Sequence, residues 1–93
     1  MKQIGFLGLG VMGLPMAKNI IKGTGQAILA FDVAESRLKE IEEAGGKPVH
    51  DQDDIYRNCE IIIQMLPTHA IIRHSVEQAI KLGKPGNIII DCS

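Results

Sequence analysis

The sequence predicts an α/β fold, a parallel sheet wound on both faces by helices. Short β-branched runs alternate with longer segments of helical periodicity along the whole chain. Two runs, 60–63 and 87–90, each have one polar residue followed by three consecutive isoleucines, as expected for parallel strands covered on both faces. A glycine-rich string, residues 8–13, directly follows the first apolar run of the chain, residues 4–7. With right-handed crossovers, about five strands form a doubly wound sheet in the order 3-2-1-4-5.

Each element in the first half of the chain has its own signal. The predicted strands lie at 3–8, 27–32, 47–50, 60–66 and 87–91, and the predicted helices at 11–23, 34–44, 51–58 and 69–82. The first strand is an apolar run, and the helix after it has Pro15 in its opening turn, where proline is tolerated. The second strand ends at Asp32. The second helix has an apolar stripe that stops at Gly45-Gly46, a typical helix end.

The second half repeats the alternation. The short third strand precedes a helix whose first turn contains Asp53 and Asp54, an acidic pair that the helix dipole favours. The two isoleucine runs form the fourth and fifth strands. The helix between them ends in the turn 83–86, which contains two glycines and a proline. The chain is therefore interpreted as one domain over residues 1–93.

The glycine string has the spacing G-x-G-x-x-G between a strand and a helix, a setting typical of dinucleotide sites. The first glycine permits a tight turn, the second lets a pyrophosphate approach the backbone, and the third lets the helix pack on the strand. The N–H groups of the helix N-terminus then point at the phosphates. A glycine-rich turn in an ordinary α/β protein is the alternative. We predict a Rossmann-type sheet whose cofactor-binding loop is Gly8, Leu9, Gly10, Val11, Met12 and Gly13.

Asp32 provides the second part of this pattern. It ends the second strand, nineteen residues after Gly13, where dinucleotide folds place an acidic residue on the adenosine ribose. It also suits the N-terminal cap or the turn before the next helix, and these roles are compatible with a ribose contact. A carboxylate here repels a 2′-phosphate, so the sequence favours NAD over NADP. Arg37, the nearest downstream arginine, is expected on a solvated helix face beside Glu40; the alternative is that it reaches back towards a 2′-phosphate.

Composition excludes several classes of function. The net charge is −1 and no basic run indicates nucleic acid, while Tyr56 is an isolated aromatic expected at the surface. The apolar runs are too short to cross a membrane, and no signal peptide is visible. Cys59 and Cys92 lack C-x-x-C spacing and lie beside predicted buried strands. Structural thiols in a reducing, cytoplasmic compartment are therefore expected rather than a disulfide.

The chain offers no obvious catalytic or metal-binding group. His50, His69 and His74 have no carboxylate at an orienting spacing, so we assign no catalytic histidine. No cluster of histidine, cysteine and acidic residues has the spacing of metal ligands. We therefore predict no catalytic residue and no metal site within residues 1–93.

The segment 6–20 resembles the signature of the β-hydroxyacid dehydrogenases. The distinguishing residues are Met12-Gly13 followed by Met16 and Asn19, which a generic dinucleotide fold does not require. Met65-Leu66-Pro67 after the fourth strand and Asp91-Cys92-Ser93 after the fifth fit the family as well. The resemblance therefore extends over the whole chain.

The resemblance implies an oxidoreductase that transfers a hydride between NAD and a small β-hydroxy acid, of 3-hydroxyisobutyrate or 2-hydroxy-3-oxopropionate type. It implies that Leu66 and Pro67 lie along the ribose side of the cofactor, although Pro67 also suits a plain strand-to-helix turn. The hydroxyl of Ser93 would face the carboxamide or the substrate.

Members of the family continue into a second, helical domain that contains the catalytic lysine. Residues 1–93 are therefore expected to be the cofactor-binding part of a homo-oligomeric enzyme, without turnover by themselves. The alternative is a regulatory or sensor module that binds the nucleotide without chemistry. The coding sequence after Ser93 would distinguish the two.

Overall fold

A computed structural model describes residues 3–83 and 86–92 of the chain. In chain order the elements are β1 (Ile4–Leu7), α1 (Gly13–Thr24), β2 (Leu29–Phe31), α2 (Glu35–Glu43), β3 (Lys47–Pro48), α3 (Asp53–Asn58), β4 (Ile61–Gln64), α4 (His69–Leu82) and β5 (Ile88–Asp91). This order of strands and helices confirms the predicted alternation. Several elements are shorter than predicted. In particular, α1 begins at Gly13 because Val11 and Met12 form a turn before it.

The five strands form one parallel sheet in the order β3-β2-β1-β4-β5, as predicted. β1 is central: Gly5 is aligned with Leu29 of β2 on one side and with Ile62 of β4 on the other. The strand order reverses between β1 and β4, and the loops after these strands therefore open into a crevice at the carboxyl edge of the sheet.

Two apolar cores cover the two faces of the sheet. Successive side chains of a strand point to opposite faces, so β1 gives Phe6 to one core and Leu7 to the other. The first core is completed mainly by residues of α1 and α2, and the second by residues of α3 and α4. Helices thus pack on both faces, which is the doubly wound architecture.

The fifth strand is less covered than its isoleucine run predicts. Ile89 packs against the α3–α4 core, but Ile88 and Ile90 point to the other face and are 49% and 45% exposed. β5 lies at the end of the sheet, whereas α1 and α2 follow β1 and β2 in its other half. The prediction that this strand is covered on both faces is wrong for the described residues.

Two side chains also differ from their predicted environments. Tyr56 is fully buried, not exposed, because α3 turns it towards α4. Its hydroxyl lies 2.8 Å from Ser75 Oγ and accepts a hydrogen bond of 2.8 Å from Gln52 Nε2, which makes burial of a phenol tolerable. Cys59 is a buried free thiol, as predicted. Cys92 is free but exposed, because the uncovered fifth strand ends just before it.

Candidate functional site

Two of the three glycines in the loop after β1 are required by the fold. Gly8 has a φ of +92°, which other residues rarely adopt, and a Cβ there would collide with the carbonyl of Met65. A Cβ on Gly13 would collide with the carbonyl of Gly8. These glycines let the loop turn tightly and let α1 begin directly on top of it.

Gly10 differs from the other two. It is exposed, it lies outside the left-handed region, and a Cβ there would meet no atom within 4 Å. The packing of the described residues therefore does not require glycine at this position. A glycine that leaves the backbone bare suits the close approach of a bound group.

Few groups in the described part of the chain balance the partial positive charge at the N-terminus of α1. Its first turn contains no acidic residue, and Met12 at the N-cap provides no side-chain hydrogen bond. The N–H groups of Gly10, Val11 and Met12 make no hydrogen bond among the described residues. Val11 and Met12 are also 80% and 65% exposed. Unpaired N–H groups at the positive end of a helix dipole favour an anion such as a phosphate.

Asp32 joins the glycine loop to the end of β2. Its Oδ2 accepts a hydrogen bond of 2.7 Å from the N–H of Leu9, and its Oδ1 accepts one of 2.8 Å from the N–H of Ala34. The second bond closes a turn just before α2, so Asp32 is a turn residue, whereas the N-cap of α2 is Ala34, without a side-chain cap. A carboxylate has about four acceptor positions, and two of them remain for a ligand. The predicted ribose contact is therefore compatible with this geometry.

These parts meet around an open cavity of about 670 Å³ at the carboxyl edge of the sheet. The predicted site residues that line it are Gly8, Gly10, Val11, Met12, Gly13, Asp32, Leu66 and Pro67. Leu9 does not line it: its side chain is fully buried in the α1–α2 core and its N–H is bonded to Asp32. Ser93 lies outside the described residues. Binding of a cofactor by these residues stays a prediction.

Sequence reasoning did not assign the remaining lining residues to the site, namely Leu7, Phe31, Val33, Gln52, Met65, Ile71 and Cys92. Most are neighbours of predicted site residues, and a wider window around each motif would have included them. Gln52 belongs to no motif. Only the topology indicates it, because it follows β3 at the same edge of the sheet as Asp32.

The described part of the chain limits the chemistry of this cavity. Among its lining residues, only Asp32 and Cys92 have a carboxyl or thiol group. None of the described residues form a group of three or more metal-ligating side chains that could hold an ion. The helices within 3–83 and 86–92 are all too short or too polar to span a bilayer.

Comparison with known proteins places this geometry in a family. Residues 3–93 match the family described as the NAD binding domain of 6-phosphogluconate dehydrogenase. The chain belongs to this family. The membership confirms the predicted fold and NAD as the cofactor.

The relatives of this NAD-binding domain include hydroxyacid dehydrogenases, which confirms the family resemblance. Human mitochondrial 3-hydroxyisobutyrate dehydrogenase is 41% identical over 93 residues, covering 97% of this chain and 27% of the relative. An NAD-dependent L-serine dehydrogenase of Pseudomonas aeruginosa is 31% identical, covering 100% of this chain and 32% of the relative.

A solved structure of 3-hydroxyisobutyrate dehydrogenase with L-serine, from Mycobacterium tuberculosis, superposes with a TM-score of 0.88 at 30% identity. The superposition covers 98% of this chain and 31% of the chain in the solved structure. The chain spans about a third or less of the length of these relatives.

Proposed function

We propose that this domain binds NAD in the cavity beside Gly10 and is the cofactor-binding part of a dehydrogenase. The enzyme would transfer a hydride between NAD and a small β-hydroxy acid, of 3-hydroxyisobutyrate or 2-hydroxy-3-oxopropionate type. The names of the relatives support this class of substrate. When bound, NAD supplies the hydride chemistry, and the residues described here bind and orient it.

The observation that carries the proposal is the contrast among the three loop glycines. Gly8 and Gly13 are explained by contacts within the fold, whereas Gly10 has open space around it. Glycine there suits a pyrophosphate lying against the backbone, where the unpaired N–H groups of Val11 and Met12 donate to it.

The remaining cavity residues fit the other parts of the cofactor. Asp32 would accept hydrogen bonds from the adenosine ribose hydroxyls through its free acceptor positions. Leu66 and Pro67 would lie along the ribose side, and Ser93 would face the carboxamide or the substrate. The proton would be moved by the lysine that the family resemblance assigns to a second domain outside residues 1–93.

The same proposal includes two coarser expectations about the intact protein. We expect it to be a homo-oligomer, as the family resemblance implies. We also expect a cytoplasmic location, which the two free thiols support because they suit a reducing compartment.

The choice between NAD and NADP is the test of the Asp32 assignment. The Asp32 carboxylate repels a 2′-phosphate, and Arg37 is paired with Glu40 at 3.7 Å on the surface of α2. We therefore expect the 93-residue chain to bind NAD about tenfold or more tightly than NADP, equivalent to about 1.4 kcal/mol or more. Calorimetric titration of the chain with each dinucleotide, at equal ionic strength, measures the ratio of the NAD affinity to the NADP affinity.

The informative variant is Asp32→Asn. It removes the charge but keeps an oxygen that can accept a backbone N–H, so the loop retains part of its anchoring. Asp32→Asn should lower the ratio of the NAD affinity to the NADP affinity, whereas Asp53→Asn, outside the cavity, should leave this ratio unchanged. Tighter binding of NADP than NAD to the wild-type chain would overturn the assignment.

A further inference from the structure

We propose that Gln52 recognises the adenine base of the dinucleotide by accepting a hydrogen bond from its exocyclic amino group. This inference rests on the proposed function, since it assumes that the cavity binds NAD. Gln52 lines the cavity, at the N-cap of α3. No dinucleotide motif includes this residue, so the sequence alone does not predict a role for it.

The topology places Gln52 on the adenine side of the cavity. From the centre of the sheet outwards, the carboxyl edge carries the glycine loop after β1, Asp32 after β2, and Gln52 after β3. If the pyrophosphate lies on the loop and the ribose on Asp32, the base extends beyond Asp32 towards Gln52. The nicotinamide half then extends the opposite way, towards Cys92 after β5.

The cavity contains exposed apolar side chains of the kind that a flat base packs against. Val33 directly follows Asp32 and is 92% exposed, and Ile71 on α4 is 44% exposed. Both line the cavity and leave apolar surface in contact with water. A base between such side chains would remove that surface from water, which favours binding.

A buried chain of hydrogen bonds fixes the orientation of the Gln52 amide. Gln52 Nε2 donates to the Tyr56 hydroxyl at 2.8 Å, which in turn lies 2.8 Å from Ser75 Oγ. Ser75 Oγ donates to Gln64 Oε1 at 2.9 Å. With the Gln64 amide in this orientation Ser75 donates its only proton to Gln64, and Tyr56 then donates to Ser75 and accepts from Gln52. The amide nitrogen of Gln52 is thereby held by the protein core.

The amide oxygen of Gln52 is left for the ligand. Gln52 Oε1 makes no hydrogen bond with any residue in the described part of the chain. A carbonyl oxygen can only accept, and of the groups on the adenine edge only the exocyclic amino group donates. Contact between these two is the polar interaction that the orientation permits.

Tyr56, Ser75 and Gln64 are at most 1% exposed, so the network behind Gln52 is shielded from water. We interpret Tyr56 as a positioning residue that holds Gln52 for recognition of the base, because its hydroxyl accepts the hydrogen bond from Gln52 Nε2.

The test compares NAD with nicotinamide hypoxanthine dinucleotide, in which an oxo group replaces the exocyclic amino group. The wild-type 93-residue chain should bind the hypoxanthine dinucleotide about three- to tenfold more weakly, the range expected for one hydrogen bond. Gln52→Ala should weaken NAD binding by a similar factor and bring the ratio of the two affinities close to one. Gln78→Ala, a glutamine on α4 outside the cavity, is the matched control and should keep the wild-type ratio.

Tyr56→Phe tests the positioning role. It removes the acceptor for Gln52 Nε2. The ratio of the affinity for NAD to the affinity for the hypoxanthine dinucleotide should therefore fall, although the phenylalanine variant still binds NAD. Thermal unfolding of each variant verifies that the domain is folded, and a loss of stability alone would not change the ratio.

The possible failures of the test are distinguishable. Equal affinity of the wild-type chain for the two dinucleotides would overturn the role of Gln52 while leaving NAD binding intact. Tighter binding of the hypoxanthine dinucleotide would also overturn it, because Gln52 would then present its N–H groups. Absence of NAD binding to the wild-type chain would contradict the proposed function itself.

Discussion

At the scale of single residues, chemical environment separates positions that look alike in the sequence. Gly8, Gly10 and Gly13 form one motif, but only the first and third are explained by contacts within the fold. The motif could predict the loop, because G-x-G-x-x-G between a strand and a helix is specific. The distinction between glycines for folding and a glycine for binding required the position of Met65, which lies far away along the chain.

The buried Cys59 thiol predicts how the free energy of unfolding depends on pH, and the exposed Cys92 thiol provides a control. Burial, and to a smaller extent the neighbouring Glu60 carboxylate, raises the pKa of the Cys59 thiol from its ordinary value of 9.0 to about 12. The folded chain thus keeps this proton where the unfolded chain loses it. The contribution of Cys59 to the free energy of unfolding is complete below pH 9.0 and is lost as the pH rises towards about 12.

Urea unfolding at several pH values measures this effect. In this window Cys59 should contribute a fall of at most about 1.4 kcal/mol per pH unit, the limit for one proton. Cys59→Ala should show a shallower fall than the wild-type chain, whereas Cys92→Ala should keep the wild-type slope because that thiol is exposed. Identical slopes in the two variants would show that Cys59 is not protected by burial.

At the scale of elements, the sequence predicted which segments are strands and which are helices, but not their ends. The isoleucine runs and the helical stripes repeat over enough residues to identify each element. The ends depend on local bonding: α1 starts only at Gly13, and β3 keeps only Lys47–Pro48 of the predicted 47–50. The exposure of β5 depends on which helices lie over it, information that its own residues do not contain.

The contact between α3 and β1 makes a prediction at this scale. A Cβ on Gly5 would lie 2.6 Å from Cys59 Sγ and 2.8 Å from Ile55 Cγ2, so the helix packs directly on the bare backbone of β1. Gly5→Ala should therefore lower the free energy of unfolding by about 1–3 kcal/mol, as overpacked substitutions do. Urea denaturation measures the change.

Gly23→Ala is the control for that substitution. Gly23 lies in α1 with no atom within 4 Å of an added Cβ, so alanine should stabilise the helix by up to about 1 kcal/mol. If Gly5→Ala were as stable as the wild-type chain, α3 would have to sit farther from β1 than described here.

At the scale of the whole molecule, the sheet order brings distant motifs to one edge. The glycine loop, Asp32 and Leu66-Pro67 follow three neighbouring strands, and the order 3-2-1-4-5 predicted that they would be close. The burial of Tyr56 could not be predicted in this way. It depends on side-chain pairing between α3 and α4, which no local pattern encodes.

The central claim, that NAD lies against the backbone at Gly10, is tested most directly by calorimetric titration of NAD into three forms of the chain. The wild-type chain and Gly23→Val should bind NAD alike, because Gly23 is exposed at the far end of α1 from the loop. Gly10→Val should fold, since its side chain has open space, yet show no binding, because that side chain would occupy the place of the pyrophosphate. Circular dichroism verifies the fold of each variant. A folded Gly10→Val chain that binds NAD with unchanged affinity would contradict the account.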